Sequence, residues 1–427
     1  MNWKKVIGTS GRHTWGDCYA EETLMMSGKK IVVFGNNGRH PAIKAIMLAV
    51  RQALEDMGKD VLYCDCMNNE SVNDVLDLMD RQEIALGIGY GEVGMSWEKC
   101  GGGTLFTYEM SDVPHVSILM DMPYNKCQSG PELPCSRHIC TVIDKGGCEY
   151  FHYAYPAKAD KVLFLPLAGM TAEGEHDIFA VDKKYDVAYI ACPWMYGLFR
   201  EGMERPWRNN ETHKYIVSLL DDAADYLEAH PENVLSALKF ILKEKGFEGE
   251  AYFRKMLPYC WDLLLYIKTW RRVKGMELLV KNDIAVDVFG DGWEAVPFAD
   301  KLRLHGGVSY EESLQICAQS KILFQDQGEF NYGANDRTFN AMLNGAVLVT
   351  EYSRYLDENF INGQDLFMYN WQQGEKQVRV IHELLQDDCR RVAVAVNAYG
   401  KASRCHTWRN RVQRILEAVH LLYGVDI

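Results

Sequence analysis

The sequence has no apolar run approaching the roughly 18–20 residues that cross a bilayer. Its first stretch, Met1 to Gly28, carries Arg12, Asp17, Glu21 and Glu22 where an export signal has its apolar core. Basic residues are also in short supply. The 46 Lys and Arg against 59 Asp and Glu leave a formal net charge of -13, the reverse of the positive field that duplex nucleic-acid binders turn toward phosphates. A nucleotide ligand is still allowed, because a helix N-terminus with one or two basic side chains holds a single diphosphate. There is no low-complexity tract and no internal repeat on the scale of roughly 20–50 residues. Thirteen cysteines, an odd number, without an export signal read as reduced thiols and a cytoplasmic address. The cluster Cys127, Cys135, Cys140 and Cys148, with His138 and His152 nearby, has seven, four and seven intervening residues. It lacks the tight Cys-x2-Cys knuckle of structural zinc sites, so these are read as ordinary thiols with no metal.

What is present is an ordinary globular composition, 48% hydrophobic and 25% charged over 427 residues, a length that favours two domains over one core. Short apolar runs alternate with helical periodicity. Lys30–Phe34, Asp60–Cys64, Ile84–Ile88, His115–Met120, Ile139–Ile143 and Val162–Leu165 read as strands, with a helix from about Pro41 to Met57. A second series follows with Tyr185–Ile190, Ile284–Phe289, Ile322–Phe324, Val347–Val349 and Leu366–Tyr369. Buried strands separated by helices imply parallel sheets covered on both faces. The expected architecture is α/β. A polar leader (1–28) precedes a Rossmann-like domain (29–180). A second such domain (181–400) carries a helical insertion at about 208–280, and a final helix (401–427) crosses back. Two doubly wound sheets with their strand C-termini opposed leave a cleft suited to group transfer.

Two stretches carry candidate chemistry. The strand ending at Phe289 runs into Gly290-Asp291-Gly292-Trp293, where glycines let backbone N–H groups approach an anion. Further on, Asp336, Arg337 and Thr338 occupy the first turn of a helix, where free N–H groups and the dipole favour phosphate and an arginine adds a bidentate donor. Asn340, one turn later, offers an amide to ribose hydroxyls. The competing reading of Arg337 is a surface ion pair with Asp336 or Glu329.

In order along the chain, Phe-Gly-Asp-Gly-Trp (289–293), Gly-Gly-Val-Ser-Tyr (306–310), Ser-Lys-Ile-Leu-Phe (320–324), Asn-Asp-Arg-Thr-Phe-Asn-Ala-Met-Leu-Asn-Gly-Ala (335–346) and His-Thr-Trp-Arg-Asn-Arg (406–411) resemble the C-terminal domain of group 1 glycosyltransferases, in the branch similar to the spore-maturation protein CgeB. Pro114 to Pro123, a strand ending in Asp121 before proline, is similar more loosely; the helical block at 210–280 has no counterpart. The resemblance implies a GT-B fold. Its second domain would hold a nucleotide-diphosphate sugar as donor substrate, and no cofactor would be bound permanently. Gly290 and Gly292 would approach the diphosphate, Arg337 would bind phosphate and Asn340 would stand near the ribose. The wider pattern has a glutamate where Asn340 stands and a partner about eight residues earlier, where this chain has Tyr332, so the stereochemical course stays open. The acceptor would be a protein or glycan.

For the base, Asp121 and His115 flank a strand end expected at the cleft, with Glu109 behind them. No Asp-x-Asp occurs, so the metal-chelating ligands of the other main glycosyltransferase fold are missing. His406-Thr407-Trp408 would open the crossing helix, with Arg409, Arg411 and Arg414 on its solvated side. A sugar-nucleotide epimerase of the same fold and a non-catalytic nucleotide-sugar-binding module are the alternatives. A nicotinamide-dependent dehydrogenase fits least, because Gly35-Asn36-Asn37-Gly38 is not Gly-x-Gly-x-x-Gly.

Overall fold

A computed structural model describes residues 28–35, 41–95, 97–98, 104–105, 112–125, 135–174, 177–193, 205–208, 213–425 and 427. The leader, Glu109 and Cys127 of the sequence reading lie outside these residues. Strands β1 (Lys30–Gly35), β2 (Val61–Asp65) and β3 (Ile84–Tyr90) are followed by a small antiparallel ribbon, β4 (Trp97–Glu98) with β5 (Thr104–Leu105). Strands β6 (His115–Ile118), β7 (His138–Val142) and β8 (Val162–Phe164) complete a parallel six-stranded sheet in the order β2-β1-β3-β6-β7-β8. Helices α1 (Pro41–Asp56), α2 (Asn69–Asp80) and α3 (Lys145–Ala154) belong to this half. The run Ile31-Val32-Val33-Phe34 is fully buried, as a strand covered on both faces requires. Proline at the first position of α1 loses no helical hydrogen bond.

The second sheet contains β9 (Tyr185–Ile190), β10 (Asp287–Phe289), β11 (Arg303–Gly306), β12 (Ser320–Gln325), β13 (Val347–Glu351) and β14 (Phe367–Tyr369). Its order is β11-β10-β9-β12-β13-β14, again all parallel. The expected α/β architecture with two parallel sheets is therefore observed. Edge strand β11 escaped the sequence reading. It is Arg-Leu-His-Gly, exposed on most of its length, so no buried face imposes an apolar signature.

Between β9 and β10 lie α4 (Lys214–Ala229), α5 (Val234–Glu244), α6 (Glu250–Met256) and α7 (Cys260–Lys281). Although this block follows the first strand of the second sheet, its apolar residues join the first sheet's core. Leu219, Leu220, Leu235, Leu238, Phe253, Leu263 and Ile267 belong to one cluster with Ile31 and Val116. The second half of α7 does otherwise: Val273, Met276 and Leu279 pack into the core of the second sheet with Val187, Val288 and Phe324. Helix α7 therefore passes from one core to the other, which leaves it buried on nearly all sides.

The remaining helices are α8 (Tyr310–Ala318), α9 (Asp336–Leu343), the short α10 (Arg354–Asn359), α11 (Gly374–Val378) and α12 (Val380–Gln386), then α13 (Asp388–Cys405) and α14 (Trp408–Tyr423). Thr407 and Asn410 form a capping box that starts α14. This helix crosses back onto the first half, where Arg409 donates to the carbonyl of Asp56 at 3.2 Å. Among the described residues no helix is long and apolar enough to cross a membrane.

One expectation about α14 is corrected. Arg411 does not face solvent with Arg409 but is buried, and its guanidinium donates to the carbonyls of Pro166 (2.6 Å), Leu167 (3.2 Å) and Cys405 (3.0 Å). Those carbonyls lie where the chain leaves β8 and where α13 ends, so one buried cation fastens both to α14. Arg411→Met leaves buried carbonyls unpartnered and is expected to lower stability by about 2–4 kcal/mol. Urea unfolding would show a lower midpoint, and a wild-type midpoint would contradict the role.

Candidate active site in the interdomain cleft

In the second sheet, β9 has β10 on one side and β12 on the other, so consecutive connections leave in opposite directions and open a crevice beyond the two strand ends. The residues that fill the crevice come from four places. Asp326, Gln327, Gly328 and Glu329 follow β12; Asp336 and Arg337 begin α9; Lys268 and Arg272 come from α7; Met120 and Asp121 follow β6 across the gap. They enclose about 130 Å³.

Lys268, Arg271 and Arg272 sit at i, i+3 and i+4 on α7, one face of the helix, at the point where it changes cores. Each meets a carboxylate. Lys268 Nζ lies 3.1 Å from Asp121 Oδ1 on the first domain and 3.9 Å from Glu329 Oε1 on the second. Arg272 Nε lies 3.7 Å from Asp326 Oδ1, and its Nη1 donates to the Cys192 carbonyl at 2.7 Å. Arg271 turns away from the cavity. It pairs with Glu351 at 3.3 Å and donates to the carbonyls of Gly328, His230 and Glu232, fixing the loop after β12 to the helical block.

The charge states follow from burial and pairing. Burial opposes the Lys268 ammonium, but Asp121 and Glu329 outweigh it and hold its pKa above the ordinary value. Burial would also raise Asp326, yet Arg272 and Arg337, with the Tyr189 hydroxyl bonded to it at 2.6 Å, hold it below the usual carboxylate range. Glu329 differs. It is fully buried, neither oxygen has a hydrogen-bond partner, and burial pushes it up to about 7 despite Lys268. A buried carboxyl without donors costs stability, and its place on the cleft wall makes Glu329 a candidate functional group.

The loop that carries these residues is also pinned from the first domain. Asp144 caps α3 through Gly146 N–H (2.7 Å) and accepts from Tyr332 N–H (2.7 Å), while Lys145 N–H donates to the Tyr332 carbonyl (3.1 Å). Gly333 pairs with Asp144 as an isolated bridge, and a Cβ there would lie 2.2 Å from the Ile143 carbonyl oxygen. Only glycine permits that approach.

The residues named from the sequence divide sharply. Asp336 and Arg337 line the cleft, and Arg337 is braced by donating to the Ile190 carbonyl at the end of β9 (2.6 Å). It makes no pair with Asp336 or Glu329. Thr338 is buried behind them, accepting from the Gln325 amide at 2.9 Å. Asn340 is committed to the domain connection: its oxygen accepts from Met170 N–H at 2.8 Å and its amide donates to the Tyr310 hydroxyl at 3.2 Å. Asn344, one turn on, secures the same segment through Ala172 N–H (2.7 Å) and the Met170 carbonyl (2.8 Å).

Gly290, Asp291, Gly292 and Trp293 are not among the cleft residues. The Gly290 N–H donates to the Gly306 carbonyl at 2.7 Å, and a Cβ there would lie 2.5 Å from the Ala191 oxygen. Gly292 N–H goes to Glu294, Asp291 receives Gly307 N–H, and Trp293 is fully buried. The stretch joins the ends of β9, β10 and β11. Asp121 reaches the cleft as expected, but His115 stands at the other end of β6. There it is fully buried beside Phe34 and His138, and burial, then His138, hold its pKa well below the ordinary value. Parallel strands present only their C-terminal ends to the crevice, and His115 begins its strand. Lys268, Arg272, Asp326 and Glu329 went unread because nothing in α7 or the β12 loop distinguishes a buried charge from a solvated one.

Residues 269–417 match the sequence family described as glycosyl transferase-like. A search of curated protein sequences finds no match. Among solved structures, the chain is similar to AviGT4, a glycosyltransferase involved in avilamycin A biosynthesis, at 11% identity and a TM-score of 0.51, covering 93% of this chain and 98% of that one. Other similar structures are Anabaena Alr3699/HepE in complex with UDP-glucose (12% identity, TM-score 0.47, 92% and 100% covered) and T4 phage BGT with its UDP-glucose substrate (10%, 0.49, 92% and 98%). With the two parallel sheets, the AviGT4 likeness establishes the GT-B fold.

The Glu329 environment has a measurable consequence. Its folded pKa is raised, so the fold favours the neutral carboxyl; that contribution is complete below the ordinary value of 4.5 and is lost as pH rises toward about 7. The stability of Glu329→Gln relative to wild type should therefore increase across that window, on the order of 1–3 kcal/mol. Urea unfolding of both proteins at a series of pH values checks this, and a difference that does not change with pH contradicts the buried, unpartnered carboxyl.

Proposed function

We propose that the chain is a glycosyltransferase that moves a sugar from a nucleoside-diphosphate donor to a hydroxyl of a protein or glycan acceptor. The observation that carries this reading is the set Lys268, Arg272 and Arg337 converging on the crevice beyond β9 and β12. Three cations within one small cavity suit a diphosphate, which offers several charged oxygens to ammonium and guanidinium donors. The match of residues 269–417 to a glycosyl transferase-like family supports the same reading.

In the transfer, the bond from the sugar's anomeric carbon to the β-phosphate oxygen breaks and its electron pair leaves with the diphosphate. Lys268, Arg272 and Arg337 stabilise that developing charge from fixed positions, the electrostatic contribution that weighs most in such reactions. The acceptor oxygen bonds to the anomeric carbon and gives up its proton. Asp121, facing the donor residues from the first domain, is the base we assign to it. Glu329, on the same wall, pairs with Lys268 and so bears on the charge that meets the departing phosphate. The charge of the leaving group is met by side chains of this chain, in keeping with a metal-independent reaction.

Calorimetric titration with UDP, GDP, CDP and dTDP tests the donor site. One of them should bind, and Arg337→Ala should weaken it by about 10- to 100-fold, the size of a lost charged hydrogen bond. No binding by any of the four, or undiminished binding by the variant, contradicts the assignment.

A further inference from the structure

Among the described residues, Lys268 is the one cleft cation whose ion pairs reach both domains: Asp121 on the first and Glu329 on the second. Its side chain is 10% exposed and that of Asp121 29%, so their pair is partly shielded from solvent and not a loose surface contact. In this state the assigned base is engaged by a cation and the assigned phosphate ligand by a carboxylate. Each group occupies the other.

We infer that Lys268 couples the two half-sites: the donor diphosphate draws the ammonium away from Asp121, and only then is that carboxylate released to take the acceptor's proton. The coupling rests on the donor-site reading above. A diphosphate carries more negative charge than one carboxylate and accepts at more oxygens, so it competes successfully for Lys268. Arg272 and Arg337 are braced on the Cys192 and Ile190 carbonyls and stay in place to receive it. Lys268, with a flexible four-carbon stem and rotatable donors, is the cation able to change partners. The exchange gives the reaction an order. Without donor, Asp121 is held by Lys268 and cannot serve an acceptor; with donor, its pair is broken. Positioned in this way, Lys268 links donor occupancy to acceptor activation without any backbone rearrangement.

The coupling has a thermodynamic signature. An ion pair that must break before the ligand binds lowers apparent affinity by the fraction of molecules in which Lys268 is free. Whichever of UDP, GDP, CDP and dTDP binds the wild type is titrated into Asp121→Asn, Lys268→Gln and the double variant. Asp121→Asn should bind it about three- to tenfold more tightly, and Lys268→Gln about tenfold or more weakly. The gain from Asp121→Asn should vanish in the Lys268→Gln background, because the two residues act through one pair.

Unchanged or weaker binding by Asp121→Asn overturns the coupling while leaving the donor site intact. So does a gain that persists in the double variant, which would mark simple charge repulsion between Asp121 and the diphosphate. Should Lys268→Gln fail to fold, the salt dependence of the Asp121→Asn gain decides. A contact pair in the cleft keeps its effect in high salt, and a gain that screens away overturns the proposal. Failure of all four nucleotides to bind wild type removes the donor reading itself.

Discussion

Helix α7 has to satisfy two cores at once, and the site depends on how it does so. Its first half is packed among residues of the first sheet and its second half among those of the second. At the crossing the helix has no single apolar face to bury, and there Lys268 and Arg272 emerge into the cavity while Arg271, on the neighbouring position, turns away from it. Buried cations persist only when paired, so each draws a carboxylate to it: Asp121 and Glu329, Glu351, and Asp326. Four acidic residues from the ends of β6, β12 and β13 are thereby fixed around one helix. The cavity is what remains between Asp121, Asp326 and Glu329.

The surrounding contacts serve to keep that arrangement from relaxing. Arg271 ties the β12 loop to the helical block, Asp144 ties it to α3, and Asn340 with Asn344 ties α9 to the segment that connects the domains. Arg271 and Asp144 therefore hold the β12 loop from two directions, which gives Glu329 a fixed place on the wall despite its lack of hydrogen-bond partners. The helical block is thus part of the site's support and not an appendage.

How much of this was legible in the sequence varied with the kind of signal. Strands covered on both faces, such as Ile31–Phe34 and Val347–Val349, announce themselves as apolar runs, and the parallel α/β arrangement followed from their alternation with helices. Edge strand β11 gave no such run because most of it faces water. Asp336 and Arg337 were legible because a helix start is a local event, written in its cap Asn335 and its first turn. Gly290 to Trp293 and Asn340 were also conspicuous, but for a structural cause: close strand packing and the staple at Met170 need those residues as surely as a ligand would. Lys268, Arg272 and Glu329 became visible only through tertiary placement, since the same letters on an ordinary helix or loop would be solvated. Arg411 shows the converse error, a charge assigned to solvent that is buried and holds three carbonyls.

The central claim is that the crevice beyond β9 and β12 receives the diphosphate on the cations of α7 and α9. A crystal structure with a bound nucleoside diphosphate tests it most directly. The account predicts phosphate oxygens within hydrogen-bond distance of Lys268, Arg272 and Arg337, with Lys268 withdrawn from Asp121. Phosphates seated instead beyond β1 and β3 in the first sheet, with the Lys268–Asp121 pair undisturbed, would contradict it.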